Sequence, residues 1–207
     1  MNSTAALRQA LMIMIDEAFP LEKISEFNDS RDSLETDSLD QYIVGKNWQE
    51  IDPAELITRS FTVNYLGPKT AAALLPALMK IILDGPDQCE FIPENTIQLL
   101  SRTGTFESYT ALELLQSSIN RVIEEDVFLP EILAPAVDQL DQQINDMYQQ
   151  MGFRTKLEQE YLERYQTMKS LLTDQQTNVV RFFLMYLTAS ELPDDYREAA
   201  ANSLLFW

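Results

Sequence analysis

Apolar residues recur at every third or fourth position along most of this chain, which is the spacing of one face of an α-helix. The most regular stripe comprises Val137, Leu140, Ile144, Met147 and Met151. A second stripe follows Gly152 and comprises Leu157, Tyr161, Tyr165, Met168 and Leu172. Because glycine often ends a helix but is tolerated inside one, two structures are compatible with this pattern. The stripes predict a long helical hairpin near residues 135–172, or alternatively one long helix through Gly152.

Short capping motifs indicate where helices begin. In a capping box, a hydroxyl residue and a Glu or Gln three positions later satisfy free backbone amides reciprocally. Three such pairs occur: Thr110 with Glu113, Thr155 with Glu158, and Thr173 with Gln176. Asp52 followed by Pro53 predicts another helix start, over about residues 53–60. Pro193 is expected to open the last helix.

Three segments interrupt this helical pattern. Residues 22–40 are rich in acidic residues and serine, and they predict an acidic surface loop with at most a short helix near its end. Residues 61–66 are the only credible extended segment. Pro76 lies inside the apolar run 71–83, where its missing N–H predicts a kink or a helix that begins near it.

These elements predict an all-α fold, with residues 1–207 forming a single domain. The expected architecture is a bundle of about seven to nine helices. Residues 179–187 are apolar on every side, which predicts the most buried helix. The last residues, Leu-Leu-Phe-Trp, are expected to dock on the body of the protein. Trp48, Trp207 and the two tyrosines at 161 and 165 are assigned to the core.

Part of the sequence resembles an uncharacterised family of small bacterial proteins. The resemblance covers about residues 5–100 and 172–190, and its pattern consists of hydrophobic and proline positions. The similar positions are Trp48, Ile51, Leu56, Phe61, Tyr65-Leu66, Pro68, Leu74-Leu75-Pro76-Ala77, Met79 and the segment 172–187. Residues 101–171 then look like an acidic helical insertion. The resemblance implies a common fold, and it implies no activity, catalytic residue or cofactor.

Composition excludes several classes of function. The 207 residues carry a formal net charge of −18, which argues against a nucleic-acid binder because neutralising phosphates requires a basic surface. The chain has no histidine, so histidine-based catalytic triads and nearly all zinc sites are excluded. No apolar run approaches the ~20 residues of a membrane span, and the N-terminus lacks a signal-peptide pattern. We therefore expect a cytoplasmic protein without a cofactor.

The negative charge is concentrated in the middle of the chain. Residues 84–146 hold 13 acidic and two basic residues, a net charge of −11. This surface could simply aid solubility, or it could dock a basic partner. The candidate partner-binding residues are Glu124, Glu125, Asp126, Glu131, Asp138 and Asp141.

Catalytic and metal-binding motifs are mostly excluded by their surroundings. Cys89 is flanked by carboxylates, which raise the pKa of a thiol, so it is expected to be inert. Residues 29–40 have the length of a calcium loop but lack its invariant glycine.

Two carboxylate pairs resemble the motif of all-α nucleotide pyrophosphatases, which hold Mg²⁺ against phosphates. They are Glu160 with Glu163 and Glu191 with Asp194. Pro193 interrupts the second pair, so Glu191 is expected to lie before the helix.

The sequence thus favours a non-catalytic acidic protein that neutralises or masks a basic protein, such as a toxin, in the manner of an immunity protein. It would act as a monomer or homodimer. Two alternatives remain open: a scaffold or adaptor that binds through apolar grooves, and a Mg²⁺-dependent nucleotide pyrophosphatase.

Overall fold

The structure, a computed structural model, describes residues 3–25, 34–85, 91–102 and 153–207. Every regular element in these ranges is helical, so the predicted all-α fold is confirmed. The chain divides into two compact units, residues 1–102 with 163–207 and residues 103–162. The description below concerns the first unit, apart from the beginning of one helix. The single domain predicted over 1–207 stays a prediction.

The α-helices of these ranges are α1 (Ser3–Ala18), α2 (Leu34–Ile43), α3 (Pro53–Ile57), α4 (Pro68–Asp84), α5 (Ile92–Leu100), α6 (Phe153–Leu171), α7 (Asp174–Thr188) and α8 (Asp194–Leu204). Two short 3-10 helices, Trp48–Glu50 and Ser60–Tyr65, connect α2 to α3 and α3 to α4. Within the first unit, α7 packs against α1 and α8, and α5 packs against α4, α8 and the second 3-10 helix.

Local capping chemistry sets several helix starts. The Asp52 carboxylate accepts a hydrogen bond from the Ala54 amide at 2.9 Å, and Pro53 is the first helical residue, as predicted. Thr173 and Gln176 form the predicted capping box, in which the Gln176 side chain accepts from the Thr173 amide at 2.8 Å. A cap of this kind contributes about 1 kcal/mol.

One predicted capping box is wrong, and a second one lies outside the described residues. Thr155 lies inside α6, which already includes Phe153, so the pair with Glu158 does not start that helix. Spacing alone does not make a cap, because the hydroxyl residue must also have non-helical backbone angles. The pair of Thr110 and Glu113 and the stripe from Val137 to Met151 lie outside the described residues, so the predicted hairpin stays a prediction.

The second 3-10 helix replaces the extended segment predicted at residues 61–66. The Thr62 amide donates to the Arg59 carbonyl at 2.9 Å, and the Thr62 hydroxyl donates to the same carbonyl at 2.7 Å. Val63 is fully buried, whereas Phe61 is 48% exposed. The prediction was wrong because β-branched and aromatic residues favour strands only weakly, and contacts elsewhere in the fold override them.

The centre of the hydrophobic core is α4. Its residues Leu74, Leu75, Leu78, Met79 and Ile82 are fully buried. Burying a side chain of this size contributes about 1.5–3 kcal/mol, so these five residues are a large part of the apolar burial that stabilises the unit. Pro76 lies within a helix that begins eight residues earlier, at Pro68. Of the two alternatives predicted for Pro76, a helix that begins near it is therefore wrong, and the kink stays a prediction.

The acidic segment 22–40 is described at its two ends. Residues 22–25 form a loop, and α2 begins at Leu34, which agrees with the short helix predicted near the end of this segment. The loop is tied to the turn after α2, because the Ile24 carbonyl accepts from the Gly45 amide at 2.9 Å. Gly45 has a φ of +80°, a left-handed conformation that glycine adopts without strain.

The helix α7 has a buried face and an exposed face, which corrects the prediction for residues 179–187. Val180, Phe183 and Leu184 are completely or almost completely buried, whereas Phe182 and Met185 are 44% and 50% exposed. Among the described helices, α5 is the most completely buried, since none of its residues is exposed, and the exposed residues of α4 are confined to its two ends.

The last residues of the chain dock as predicted. The Trp207 ring is 3% exposed, and its indole N–H donates to the Leu100 carbonyl at 2.6 Å. The Tyr165 ring meets the Trp207 ring edge-on, with centroids 5.5 Å apart. Trp48 and Tyr161 are buried as well, as the sequence predicted. No helix in the described ranges is both long and apolar enough to cross a membrane.

Candidate functional site

The six acidic residues predicted to bind a partner all belong to the part of the chain that lies outside the described residues. They are Glu124, Glu125, Asp126, Glu131, Asp138 and Asp141. Cys89 and residues 29–33 of the rejected calcium loop are also outside the described residues. The surface chemistry of the first unit is described, and it shows how this chain distributes its charged side chains.

Ion pairs between described residues include those of Lys80, Arg8, Arg59 and Arg197. Lys80 Nζ lies 2.8 Å from Asp16 Oδ1, which links α4 to α1. Arg8 joins the same two helices from the other end, since it donates to the Asp84 carbonyl at 2.9 Å and lies 3.4 Å from its carboxylate. The other two pairs, Arg59 with Glu55 and Arg197 with Asp194, connect neighbouring turns of a single chain segment.

Further basic side chains are held by neutral groups. Lys46 Nζ lies 3.3 Å from the centroid of the Tyr42 ring, and Arg164 donates to the Asn64 carbonyl at 2.7 Å. Lys169 and Arg181 donate to the carbonyls of the last two residues, and the Arg102 guanidinium lies 5.1 Å from the centroid of the Phe206 ring. These cations are fixed by contacts inside the protein, which reduces their availability to outside anions.

Several carboxylates remain on the surface after these contacts are made. Glu17, Glu22, Asp174, Glu191 and Glu198 are all exposed. None of these five forms an ion pair with a basic side chain in the described ranges. Because the chain has more than twice as many acidic as basic residues, internal pairing leaves an outward-facing excess of negative charge.

A buried polar cluster connects α5 to the second 3-10 helix. The Asn95 side chain donates to the Ser60 carbonyl at 2.7 Å, and its oxygen accepts from the side-chain N–H₂ of Asn64 at 2.5 Å. Asn95 is 4% exposed, so these bonds offset the cost of burying its amide. The cluster contains no group that titrates. Its hydrogen bonds hold α5 against the second 3-10 helix, which is a structural role.

The Tyr196 hydroxyl donates to Glu94 at 3.4 Å, which joins α8 to α5. Burial raises the pKa of the Tyr196 phenol, and the negative charges of Glu94 and Asp195 raise this pKa further. At neutral pH the phenol therefore keeps its proton and acts as a hydrogen-bond donor. Such a group does not serve as a general base.

The two carboxylate pairs of the pyrophosphatase motif are described. Glu160 and Glu163 are exposed on α6, and Pro193 caps α8, so Glu191 precedes that helix as expected. Asp194 is paired with Arg197. Within the described ranges, no three Asp, Glu or Cys side chains converge on a point that could hold a metal ion.

The exposed face of α7 is a feature that the sequence analysis missed. It consists of Asn178, Arg181, Phe182, Met185 and Ala189, which all face outwards. Polar residues at 175, 178 and 181 follow helical spacing and could have indicated a solvent-facing stripe. The surrounding apolar run concealed this signal.

The comparisons with known proteins give no match: no protein-family model, no curated protein and no solved structure is similar to this chain. The family resemblance carried by Trp48, Tyr65, Pro68 and the segment 172–187 therefore stays a prediction.

Proposed function

We propose that this is a non-catalytic acidic binding protein that captures a basic protein partner and masks it, in the manner of an immunity protein. The observation that supports the proposal is the different placement of basic and acidic side chains. Basic side chains such as Lys80, Arg8 and Arg164 are engaged within the chain, whereas carboxylates such as Glu17 and Glu198 face outwards. The protein thus presents mainly negative charge to an approaching partner.

The distribution of charge along the sequence supports the same function. The net charge of −11 over residues 84–146 concentrates most of the negative charge in one part of the chain. Complementary charge speeds association and excludes partners of the wrong sign. The proposed docking residues are Glu124, Glu125, Asp126, Glu131, Asp138 and Asp141. The proposed setting is the cytoplasm, where a single free cysteine is ordinary.

The proposal is tested by capturing partners from a lysate of the native cell at low salt and at about 0.5 M salt. At the higher concentration the Debye length falls to roughly 4 Å, so binding dominated by charge weakens strongly. We expect a basic protein at equal stoichiometry that is retained only at low salt. Replacing Glu124, Glu125, Asp138 and Asp141 with lysine should abolish its retention.

The matched control reverses four exposed carboxylates of the described unit instead, namely Glu17, Glu22, Glu191 and Glu198. This variant has the same change in net charge, so it separates local docking from overall charge. Equal loss of binding in both variants would show that the partner responds only to net charge. If the first variant binds as well as the unchanged protein at every salt concentration, the proposal is refuted.

A scaffold or adaptor function is the second candidate, and the exposed face of α7 favours it. Phe182 and Met185 offer apolar surface that a soluble partner could cover. Binding through this face would be insensitive to salt, and Met185→Glu would weaken it while leaving charge-dependent capture unchanged.

A further inference from the structure

Residues 205–207 are attached to the first unit mainly by one side chain and two carbonyl groups. The Trp207 ring is 3% exposed, whereas Leu205 and Phe206 are 77% and 39% exposed. The three residues follow α8, which ends at Leu204, so their departure would not unwind that helix. Local opening of such a segment costs less free energy than unfolding of the whole unit.

The Trp207 ring occupies a site formed by α5 and α6. The Leu100 carbonyl at the end of α5 accepts from the indole N–H at 2.6 Å. On α6, the Tyr165 ring meets the indole edge-on, and Lys169 Nζ lies 5.5 Å from the centroid of the Trp207 ring. A buried indole requires a hydrogen-bond acceptor, and a nearby ammonium group adds a cation–π contact. The site therefore favours tryptophan over phenylalanine or an aliphatic side chain, which lack the N–H donor.

The backbone of the same segment is held by side chains of α6 and α7. The Phe206 carbonyl accepts from Lys169 and, at 2.5 Å, from the Tyr165 hydroxyl. The Trp207 carbonyl accepts from Arg181. Every residue type has a backbone carbonyl, so these hydrogen bonds do not depend on the side chains of the segment. Hydrogen bonds to the main chain together with a pocket for one side chain are a common way in which proteins bind peptides.

We infer that the groove lined by Leu100, Tyr165, Lys169 and Arg181 is a peptide-binding site, and that residues 205–207 occupy it as an intramolecular ligand. A partner that exposes a tryptophan in an extended segment presents the same indole and the same carbonyls, so it can replace the residues of this chain. Residues 205–207 then act as a strap, because they compete with the partner and lower its apparent affinity. This inference does not depend on the proposed capture of a basic partner, since the ligand is recognised by its tryptophan and its backbone.

The test combines the full chain carrying Trp207→Ala, which removes the ring from the groove, with a peptide of the sequence of residues 203–207. The peptide has blocked ends and contains a fluorotryptophan, so its binding is followed by fluorine NMR. We expect the peptide to bind the unchanged protein at least about tenfold more weakly than the variant, because the strap occupies the groove. A control peptide with alanine in place of tryptophan should bind neither protein.

Two double variants test the contacts with the peptide backbone. Lys169→Met and Arg181→Gln, each combined with Trp207→Ala, remove a donor to a peptide carbonyl and should weaken binding of the peptide. The matched control combines Trp207→Ala with Arg8→Gln, because Arg8 contacts Asp84 between α1 and α4. It should bind the peptide as well as Trp207→Ala alone. Far-UV circular dichroism checks the folding of each variant.

A second variant covers the case in which Trp207→Ala does not fold. Trp207→Phe keeps most of the ring contact but lacks the indole donor, so the peptide should displace the weakened strap and bind this variant more tightly than the unchanged protein. The inference is overturned if the peptide binds neither folded variant, or if the alanine control peptide binds equally well. Unfolding of both variants that the peptide does not reverse would overturn it too. Loss of salt-dependent capture refutes only the proposed function.

Discussion

Replacing Trp207 with alanine should destabilise the first unit by about 3 kcal/mol. The Trp207 ring is 3% exposed, contacts the Tyr165 ring and donates a hydrogen bond to the Leu100 carbonyl. A tryptophan buries about 150–250 Å², which at ~25 cal/mol/Å² gives an upper bound of roughly 4–6 kcal/mol. Because residues 205–207 follow the end of α8, they can relax after the substitution, so we expect the lower end of the usual range.

The assay is urea unfolding followed by far-UV circular dichroism and by the fluorescence of Trp48. Trp48 is buried elsewhere in the unit, where its indole N–H donates to the Phe19 carbonyl at 3.3 Å, so it remains as a second probe. With a denaturant slope near 2 kcal/mol/M, the midpoint should fall by about 1.5 M. Coincident transitions from the two probes would justify a two-state analysis.

Two variants divide this loss into its parts. Trp207→Phe keeps most of the apolar contact but leaves the Leu100 carbonyl without the indole donor, which should cost about 1–2 kcal/mol. Phe206→Ala changes the neighbouring ring, which is 39% exposed, and should cost less than about 1 kcal/mol. If Trp207→Ala leaves the midpoint unchanged, or if Phe206→Ala costs as much, the last residues do not anchor the fold as described.

Three further predictions concern single contacts. Thr173→Ala removes the hydroxyl that accepts from the Gln176 amide, so it should lower the free energy of unfolding by about 1 kcal/mol in urea titrations, whereas Thr173→Ser should retain the cap. Gly45→Ala should lower the free energy of unfolding by about 1–2 kcal/mol because of the φ of +80° alone, since nothing lies within 4 Å of the added methyl group. Gly45→Asn should lower it less, because asparagine tolerates this conformation better. Equal losses in the two variants would contradict this argument. Burial and Glu94 raise the pKa of Tyr196 above its value in the unfolded chain, so the folded state binds this proton more tightly. The stability that this proton contributes is lost as the pH rises above about 10. Tyr196→Phe should therefore lose less stability between about pH 9 and pH 11 than the unchanged protein.

Elements governed by local chemistry were predictable from the sequence. The helix starts at Asp52-Pro53 and at Thr173 depend on hydrogen bonds between residues two or three positions apart, so spacing alone identified them. The docking of Trp207 followed from an apolar chain end that would otherwise be exposed. The short helix near the end of the acidic segment 22–40 was predicted as well.

Elements governed by distant contacts were not predictable. The segment 60–65 became a 3-10 helix because Ser60 and Asn64 are held by Asn95, which is about 30 positions away. The exposure of Phe182 and Met185 depends on which neighbours cover α7, and the apolar run itself does not reveal this. For the candidate site, the sequence showed the excess of carboxylates but not the internal contacts that occupy the basic side chains.

The hydrogen bonds around Asn95 make the residue that fits at position 95 depend on the residue at position 64. Its amide N–H₂ donates to the Ser60 carbonyl while its oxygen accepts from Asn64, so a replacement must provide both a donor and an acceptor. Aspartate at position 95 would lose the donor, and leucine would leave both partners unsatisfied. Positions 64 and 95 should therefore covary: in relatives of this protein, a change at one should be accompanied by a compensating change at the other, and this pair would help to recognise distant members of the family.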